Sequence, residues 1–391
     1  MSTHPFPTAR PEEEGLSPEA LARLRAALNS RIENGHVPGA VAAIARNGRL
    51  VLHEAFGARD PIARDPMPRD AIFRIYSMTK PIVSVAAMML WEEGRFLLSD
   101  PIARFIPAFA GSKVLVAGEN VAAERAITIQ DLLRHTSGLT YEFRGTEAVH
   151  RAYMDAKIYR RSQTNEDQAA MLAALPLIDH PGARWEYSRS TDVLGRLVEI
   201  VSGETLGAFV KTRILDPLGM EDSGFFVPEA DQARLAGGFA KDPESGADVP
   251  LLDVREEPSF ESGGGGMVGT ALDYLRFTQM LLDNGEAHRV RLLGRKTMEL
   301  MTSDHLGAIK GSPDLLPPGH GFGLGFAVRL APGMAPFPGS VGSYFWGGAA
   351  GTTFWIDPKE RLTAVLMIQA PGQREHYRVL FRDMVYAAIT D

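Results

Sequence analysis

The order of apolar and polar positions predicts β-strands near both ends of the chain. Two apolar-rich runs, Ala40 to Arg46 and Arg49 to Phe56, are separated by Asn47-Gly48, the dipeptide that best tolerates the positive φ angles of a type I′ turn. This arrangement predicts a β-hairpin. Towards the other end the pattern predicts three further strands and a closing helix: Phe322 to Val328, Thr352 to Ile356, Leu362 to Ile368, and a helix from about Glu375.

Helical patterns occur once near the N-terminus and then through the middle of the chain. Near the N-terminus, Ser17-Pro18-Glu19 is typical of a helix start, and apolar residues then recur at helical spacing through Ile32. The same spacing predicts helices in five later segments: Ser77–Glu93, Thr128–His135, Asp167–Leu175, Thr191–Ser202 and Thr205–Ile214.

The length of 391 residues exceeds the roughly 250–300 residues at which a single hydrophobic core stops growing. We therefore expect two domains. The positions of the predicted elements indicate an α/β (α+β) sandwich with an antiparallel sheet, built from residues 1–75 and 251–391. A mainly helical lobe of residues 76–250 is expected to be inserted into it, with the active site at the interface.

Charge and composition exclude several classes of function. Acidic residues outnumber basic ones by 48 to 41, and no basic cluster is longer than Arg160-Arg161, so we expect no nucleic-acid partner. The chain has no cysteine, which excludes disulfides and thiolate nucleophiles. The longest apolar stretch, Pro81 to Trp91, is too short to cross a bilayer, so we expect no membrane partner. The first 15 residues lack the apolar stretch of a secretory signal, so a cytoplasmic location is expected.

The segment Ser77-Met78-Thr79-Lys80 combines a hydroxyl nucleophile with a basic amine. It follows a short strand-like run, Ile72 to Tyr76, and begins a strongly apolar helix. Residues three apart on a helix face the same side, so the Ser77 hydroxyl and the Lys80 amine are expected within hydrogen-bond reach. The free N–H groups of a helix N-terminus also stabilise the negative charge that develops during acyl transfer.

Two later segments carry further candidate residues. Tyr187, within Trp185 to Gly195, is a plausible base if it lies beside a lysine ammonium, although a single tyrosine is more often a core aromatic residue. In Tyr344 to Ala349, the paired glycines Gly347 and Gly348 lie beside a strand and would allow a ligand to approach the backbone closely, or would form a bulge or a strand end.

Together these segments resemble the serine β-lactamase and penicillin-binding-protein superfamily, and specifically its class C-like branch that includes the family VIII carboxylesterases. Ser77 and Lys80 match the Ser-x-x-Lys motif, Tyr187 begins the Tyr-x-x motif, and Trp346-Gly347-Gly348 matches the Trp-Gly-Gly of the esterases. The resemblance covers about residues 15–390, and implies a serine β-lactamase-like fold. Three other segments look like recurrent parts of that branch: His135 to Leu139, Asp216 to Met220, and the glycine run ending in Gly266-Met267.

The resemblance also implies a mechanism. Ser77 would attack an acyl carbonyl to form an acyl-enzyme, Lys80 and Tyr187 would share proton transfer, and water would release the acid. Which of the two is the base stays open at this point. The backbone N–H groups of Ser77 and Ala349 would form the oxyanion hole.

The resemblance implies four substrate-binding residues: Trp346, Gly347, Gly348 and Arg189. Two of them differ from the residues that the lactamases have at these positions. Arg189 stands where lactamases have the asparagine of Tyr-x-Asn, and Trp346 replaces a cationic or polar residue that helps to hold the lactam carboxylate. A broad indole beside the oxyanion site favours an apolar acyl or alcohol group, and therefore esters. We expect a small-molecule ester as the partner.

Other features predict no cofactor. The glycines 263–266 are not followed by Lys-Ser or Lys-Thr, so a phosphate loop is not expected; instead Thr270 and Asp273 predict a capping box for the next helix. The histidines lack metal-ligand spacing, so no metal is expected. His135 with Asp192 or Asp131 would allow a Ser-His-Asp arrangement, although Lys80 already supplies a base.

The leading hypothesis is a serine carboxylesterase acting on short-chain or aromatic esters. A β-lactamase or D-alanyl peptidase would use the same groups on an amide, and an acyltransferase would pass the acyl group to an alcohol or amine. A ligand sensor that is acylated without turnover is the alternative from a different class.

Overall fold

The structure, a computed structural model, describes residues 6–287 and 290–391. Residues 1–5, part of the segment in which no secretory signal is expected, lie outside the described residues. The strands are β1 (Gly39–Arg46), β2 (Arg49–Asp60), β3 (Asp65–Pro66), β4 (Phe73–Arg74), β5 (Lys113–Val116), β6 (Glu119–Ala122), β7 (Val268–Gly269), β8 (Glu286–Ala287), β9 (Val290–Arg291), β10 (His320–Phe322), β11 (Ala327–Arg329), β12 (Tyr344–Gly347), β13 (Thr353–Asp357) and β14 (Leu362–Ile368). The helices are α1 (Pro18–Glu33), α2 (Thr79–Glu92), α3 (Ile129–Leu133), α4 (Ala148–Ala156), α5 (Asn165–Ala174), α6 (Ser190–Ser202), α7 (Leu206–Val210), α8 (Asp216–Leu218), α9 (Ala271–Leu282), α10 (Arg295–Met301) and α11 (Arg374–Tyr386).

The main sheet has the strand order β10-β11-β12-β13-β14-β1-β2-β3, and every neighbouring pair is antiparallel. Strands from the two ends of the chain meet where β1 pairs with β14, with Ala40 opposite Ile368. This is the antiparallel sheet with flanking helices that the sequence predicts, and the fold class is confirmed. The domain boundaries near residues 75 and 250 stay a prediction.

Both faces of the sheet are buried, as the alternation of side chains along a strand requires. On β1, Val41 and Ala43 belong to the larger core, which includes α2, α6 and α9. Ala42 and Ile44 point to the opposite face and pack with α1 and α11 in a second core. The candidate site lies on the first of these faces, where β12 reaches the start of α2.

The hairpin prediction is confirmed, and one strand prediction is wrong. Asn47 and Gly48 have φ angles of 53° and 77°, as a type I′ turn needs, between the paired strands β1 and β2. Residues 322–328 do not form one strand, because the chain reverses between β10 and β11. The Gly323 N–H donates to the Phe326 carbonyl (2.8 Å), and Gly325 adopts a φ of 106° that favours glycine.

The predicted capping box of α9 is only half formed. The Thr270 hydroxyl accepts from the Asp273 N–H (3.2 Å). The Asp273 carboxylate instead accepts from the Asp222 N–H and the Ser223 hydroxyl and pairs with Arg276. No helix within residues 6–287 and 290–391 is both long enough and apolar enough to span a membrane.

Candidate active site

Ser77 is presented by a tight turn between strand β4 and helix α2. The short 3-10 helix Tyr76–Met78 joins the two elements. Tyr76 has a φ of +43°, which is rare for a bulky residue. The neighbouring structure holds this conformation, because the Tyr76 hydroxyl accepts a hydrogen bond from the Leu252 N–H (2.9 Å) and the Ile75 N–H donates to the Met267 carbonyl (3.1 Å). In this turn the Ser77 side chain is half-buried and lies at the edge of a cavity.

Lys80 lies within hydrogen-bond distance of Ser77, as the three-residue spacing predicts. Its side chain is 1 % exposed, and its Nζ is 3.2 Å from the Ser77 Oγ. The same Nζ donates to the Gly264 carbonyl (2.6 Å) and to the Tyr141 hydroxyl (2.9 Å). A carbonyl oxygen can only accept, so a neutral Lys80 could keep that bond and turn its lone pair towards Ser77.

Tyr141 is the residue that sequence reasoning missed. It lies two residues after the segment His135 to Leu139. The resemblance of that segment to the family is the sequence feature that could have pointed to Tyr141. Burial raises the pKa of Tyr141 well above its usual value, and the neighbouring Tyr187 hydroxyl and Asp192 carboxylate raise it further. The hydroxyl therefore stays protonated and acts as a hydrogen-bonding neighbour of Lys80.

Tyr187 faces Lys80 with its ring rather than with its hydroxyl. The Lys80 Nζ lies 4.4 Å from the ring centroid, which is within cation–π distance. The Tyr187 oxygen accepts a hydrogen bond from the Trp346 Nε1–H (3.2 Å). Because an indole N–H can only donate, the proton of the Tyr187 hydroxyl is left free to be donated elsewhere. Tyr187 and Trp346 both line the cavity beside Ser77.

The two glycines after Trp346 let β12 approach the Ser77 turn. A Cβ on Gly348 would lie under 3.0 Å from both the Thr352 Oγ1 and the Ile75 carbonyl oxygen. The Thr352 hydroxyl itself donates to that carbonyl (3.3 Å). Ala349, which follows, lines the cavity together with Ser77. Among the described residues, neither the Ser77 N–H nor the Ala349 N–H has a protein acceptor, so both are available as donors.

Arg189 does not line the cavity, contrary to the substrate contact expected from the sequence. It is 8 % exposed and donates to the carboxylates of Glu142 (2.5 Å) and Asp192 (3.4 Å). Burial alone would lower the pKa of Arg189, but the charges of Asp192 and Glu142 outweigh burial and raise it. The guanidinium thus pairs with two buried carboxylates behind Tyr141, and it lies 4.8 Å from the centroid of the Tyr141 ring.

The glycine run 263–266 supports Lys80 rather than a phosphate. Asp192 accepts from the Gly264 N–H (2.9 Å) and from the Ser262 hydroxyl (2.6 Å). These bonds orient the Gly264 carbonyl that Lys80 contacts. A Cβ on Gly264 would lie 2.9 Å from the Tyr141 oxygen, so glycine is required for this close approach.

His135 takes no part in a Ser-His-Asp arrangement in this structure. Its Nδ1 is 3.2 Å from the Ser188 Oγ, and its ring packs against Tyr187 at a centroid distance of 5.0 Å. Burial lowers the pKa of His135 well below its usual value, and the charge of Lys80 lowers it further. The imidazole is therefore neutral. Within the part of the chain that the structure describes, no three His, Asp or Glu side chains are arranged to hold a metal ion.

Comparisons with known proteins show which chains this one resembles. The beta-lactamase family model matches residues 24–388. The chain is 33 % identical to Esterase EstB of Burkholderia gladioli over 387 residues, covering 94 % of this chain and 95 % of EstB. It is 29 % identical to Lovastatin esterase of Penicillium rubens, with 87 % and 90 % covered. Its structure matches that of EstCE1, described as a hydrolase with promiscuous acyltransferase activity, at a TM-score of 0.79 and 30 % identity, with 94 % and 99 % covered.

The family model covers almost the whole chain, and both the sequence relatives and the structural neighbour are esterases or related hydrolases of this fold. The sequence resemblance is thereby confirmed. The chain belongs to the beta-lactamase family and is a serine hydrolase of that fold, similar to the esterase-type members of the family.

Proposed function

We propose that the protein is a serine carboxylesterase that hydrolyses short-chain or aromatic carboxylic esters through an acyl-enzyme on Ser77. The observation that carries the proposal is the hydroxyl of Ser77 at the edge of a cavity of about 440 Å³, 3.2 Å from the amine of a buried lysine. A hydroxyl becomes a useful nucleophile when an adjacent base can take its proton. The esterase relatives support ester substrates.

Lys80 is proposed to accept the Ser77 proton, because its Nζ lies within hydrogen-bond distance of the Oγ (3.2 Å). The neutral amine keeps two donated bonds, to the Gly264 carbonyl and the Tyr141 hydroxyl, and accepts the third proton from Ser77. The new O–C bond forms as this proton moves. The resulting ammonium is stabilised by the Gly264 carbonyl and the face of the Tyr187 ring.

Tyr187 is proposed to deliver a proton to the departing alkoxide. Tyr187 lines the cavity, and its oxygen already accepts from the Trp346 Nε1–H, so its own O–H is free to donate to the leaving oxygen. In the second half-reaction the Tyr187 oxygen would take a proton from the attacking water, and the Lys80 ammonium would return its proton to the departing Ser77 oxygen. Lys80 and Tyr187 would then share the proton transfer of each half-reaction, and the same pair would activate the water that releases the acid.

The N–H groups of Ser77 and Ala349 are proposed to hold the oxyanion. Both lack protein acceptors among the described residues and both belong to residues that line the cavity. Two fixed donors cost no reorganisation when negative charge develops on the carbonyl oxygen. Gly347 and Gly348 bring Ala349 to this position, and Trp346 forms an apolar wall of the acyl or alcohol site.

The test compares p-nitrophenyl acetate and butyrate with a chromogenic cephalosporin, using the wild type and Ser77→Ala. We expect ester turnover to exceed cephalosporin turnover, and to fall at least about 10³-fold in Ser77→Ala. Ser30→Ala, an exposed serine on α1, is the matched control and should retain full activity. Wild-type turnover in Ser77→Ala would overturn the nucleophile assignment, and dominant cephalosporin turnover would make the β-lactamase alternative the better one.

Acyl transfer to an alcohol is a second candidate activity, favoured by the description of EstCE1 as having promiscuous acyltransferase activity. The acyl-enzyme would react with an alcohol in place of water. Product analysis of p-nitrophenyl butyrate turnover in the presence of a primary alcohol distinguishes the two: an alkyl butyrate indicates transfer, and butyric acid alone indicates hydrolysis.

A further inference from the structure

A row of arginines borders the cavity that opens onto Ser77. Arg374, Arg378 and Arg382 are spaced by four residues on α11, so they lie on one side of the helix, and all three line the cavity. The charged side chains at its wall are four arginines and two carboxylates, although acidic residues outnumber basic ones in the whole chain. The fourth arginine, Arg144, pairs with Asp314.

Arg382 is a buried cation whose hydrogen bonds are not taken up by the protein. It is 7 % exposed, and its guanidinium carbon lies 4.6 Å from the ring centroid of Phe337, 4.4 Å from that of Phe345 and 5.2 Å from that of Trp355. Among the described residues its side chain makes no hydrogen bond and no ion pair within 4.0 Å. Aromatic faces stabilise a guanidinium while leaving its N–H groups free.

The charged groups near Arg382 do not act as a hydrogen-bonded counter-ion for its guanidinium. Burial lowers the pKa of Arg382 to about 10; Arg329 lowers it as well, whereas Tyr386, Asp357 and Asp383 raise it. The Asp357 carboxylate is occupied by the Tyr386 hydroxyl (2.6 Å) and the Ser340 N–H (2.9 Å). A buried charge without a hydrogen-bonded counter-ion is costly, so an anion entering the cavity would find a favourable partner here.

Arg378 connects this cation to the reaction centre. It donates to the Gly348 carbonyl and to Glu375, while its buried Nε has no partner among the described residues. A Cβ on Gly347 would lie 2.7 Å from its guanidinium, so Arg378 packs directly on the backbone segment that carries Ala349. Because Ser77, Arg378 and Arg382 all line one cavity, a molecule whose carbonyl sits at Ser77 shares that cavity with both guanidinium groups.

We propose that the preferred ester carries a free carboxylate, which Arg382 and Arg378 bind while the scissile carbonyl lies at Ser77. The substrate class would be half-esters of dicarboxylic acids, or esters of a carboxylate-bearing alcohol. This inference rests on the proposed esterase function and specifies its substrate. A guanidinium fork matches a carboxylate in a bidentate manner, and Trp346, Phe337 and Phe345, which line the cavity, would cover the apolar linker.

The experiment compares each charged ester with its uncharged methyl ester. On the acyl side, the pair is p-nitrophenyl hydrogen glutarate and p-nitrophenyl methyl glutarate. On the alcohol side, it is 4-acetoxybenzoate and methyl 4-acetoxybenzoate. We expect the wild type to prefer the carboxylate of one pair by at least about tenfold in kcat/KM, the size of one charge-assisted hydrogen bond, and the preferred pair shows which side carries the charge.

Variants test whether the arginines cause the preference. Arg382→Met keeps the apolar stem and should reduce the preference ratio to near one. Arg378→Met provides an independent variant and should reduce it as well. Arg23→Gln, an exposed arginine on α1, removes one charge elsewhere and should leave the ratio unchanged. Equal use of charged and uncharged esters by the wild type would overturn the proposal, as would a preference that survives in both Arg382→Met and Arg378→Met.

Binding separates this inference from the proposed function. Ser77→Ala cannot form an acyl-enzyme, so its affinity for monomethyl glutarate, measured by calorimetry, does not depend on turnover. Tighter binding of monomethyl glutarate than of dimethyl glutarate, lost on adding Arg382→Met, supports the carboxylate site even if no ester is hydrolysed. Equal binding of the two would overturn the carboxylate site, while neutral-ester hydrolysis by the wild type would leave the proposed function standing.

Discussion

Gly348→Ala tests whether the approach of β12 to the Ser77 turn sets the oxyanion site. The new Cβ would lie under 3.0 Å from the Thr352 Oγ1 and from the Ile75 carbonyl oxygen, whereas ordinary contact begins at 3.4 Å. The segments must therefore separate by at least about 0.4 Å, and core overpacking of this kind typically costs about 1–3 kcal/mol. Because one of the two atoms belongs to the backbone two residues before Ser77, a rotamer change cannot relieve the contact.

The expected result is a fall in kcat with a smaller change in KM. Displacing the Ala349 N–H removes a donor that matters most when the carbonyl oxygen becomes negative, and loss of one such donor costs about 10²–10³-fold in kcat. We therefore expect kcat for p-nitrophenyl butyrate to fall by about a hundredfold or more. Adding Thr352→Ala to Gly348→Ala should not restore kcat, because the contact of the new Cβ with the Ile75 carbonyl oxygen remains.

Gly224→Ala is the matched control. A Cβ there would meet its nearest atom, the Phe226 carbonyl oxygen, at 3.8 Å, and the residue does not have a positive φ. Its activity and its melting temperature should match those of the wild type. If Gly348→Ala folds and retains wild-type kcat, the argument that Gly348 positions the oxyanion donor is refuted.

Three further predictions concern groups around the site. Tyr187→Phe should lower kcat by about a hundredfold on an alkyl ester and by less on a p-nitrophenyl ester, whose leaving group needs no proton; equal losses on both esters would exclude Tyr187 as the donor to the leaving group. Arg189→Met removes the cation that pairs with the buried Glu142 and Asp192 carboxylates, and should lower the free energy of unfolding in urea by about 3–5 kcal/mol. A change below about 1 kcal/mol would contradict the importance of this ion pairing. Burial alone would raise the pKa of Asp131, but hydrogen bonds from Arg125, Thr128 and Thr136 lower it to about 2. The ionised carboxylate therefore stabilises the fold above pH 4, and this contribution of about 2 kcal/mol is lost as the pH falls from 4 through 2. Asp131→Asn should remove this fall in the free energy of unfolding between pH 4 and pH 2. An unchanged pH dependence in the variant would contradict the assignment.

Local sequence was sufficient to predict most of the elements and the motif that carries the proposed nucleophile. The type I′ turn at Asn47-Gly48 and the Ser77–Lys80 contact each involve residues within a few positions of one another, so backbone preference and helical spacing predict them. The pattern failed at residues 322–328, where apolar residues on two short strands and on the turn between them are all buried and read as one run.

The tertiary structure decided which distant residues meet Lys80. Tyr141 and Gly264 lie 61 and 184 positions from it and contact its amine only because the chain folds back on α2. Likewise Arg189 turns to Glu142 and Asp192 rather than to the cavity, and the arginines of α11 border the cavity. Sequence spacing determines contacts along one helix or hairpin, because their geometry repeats. Contacts between elements depend on how those elements pack, and no local period encodes that.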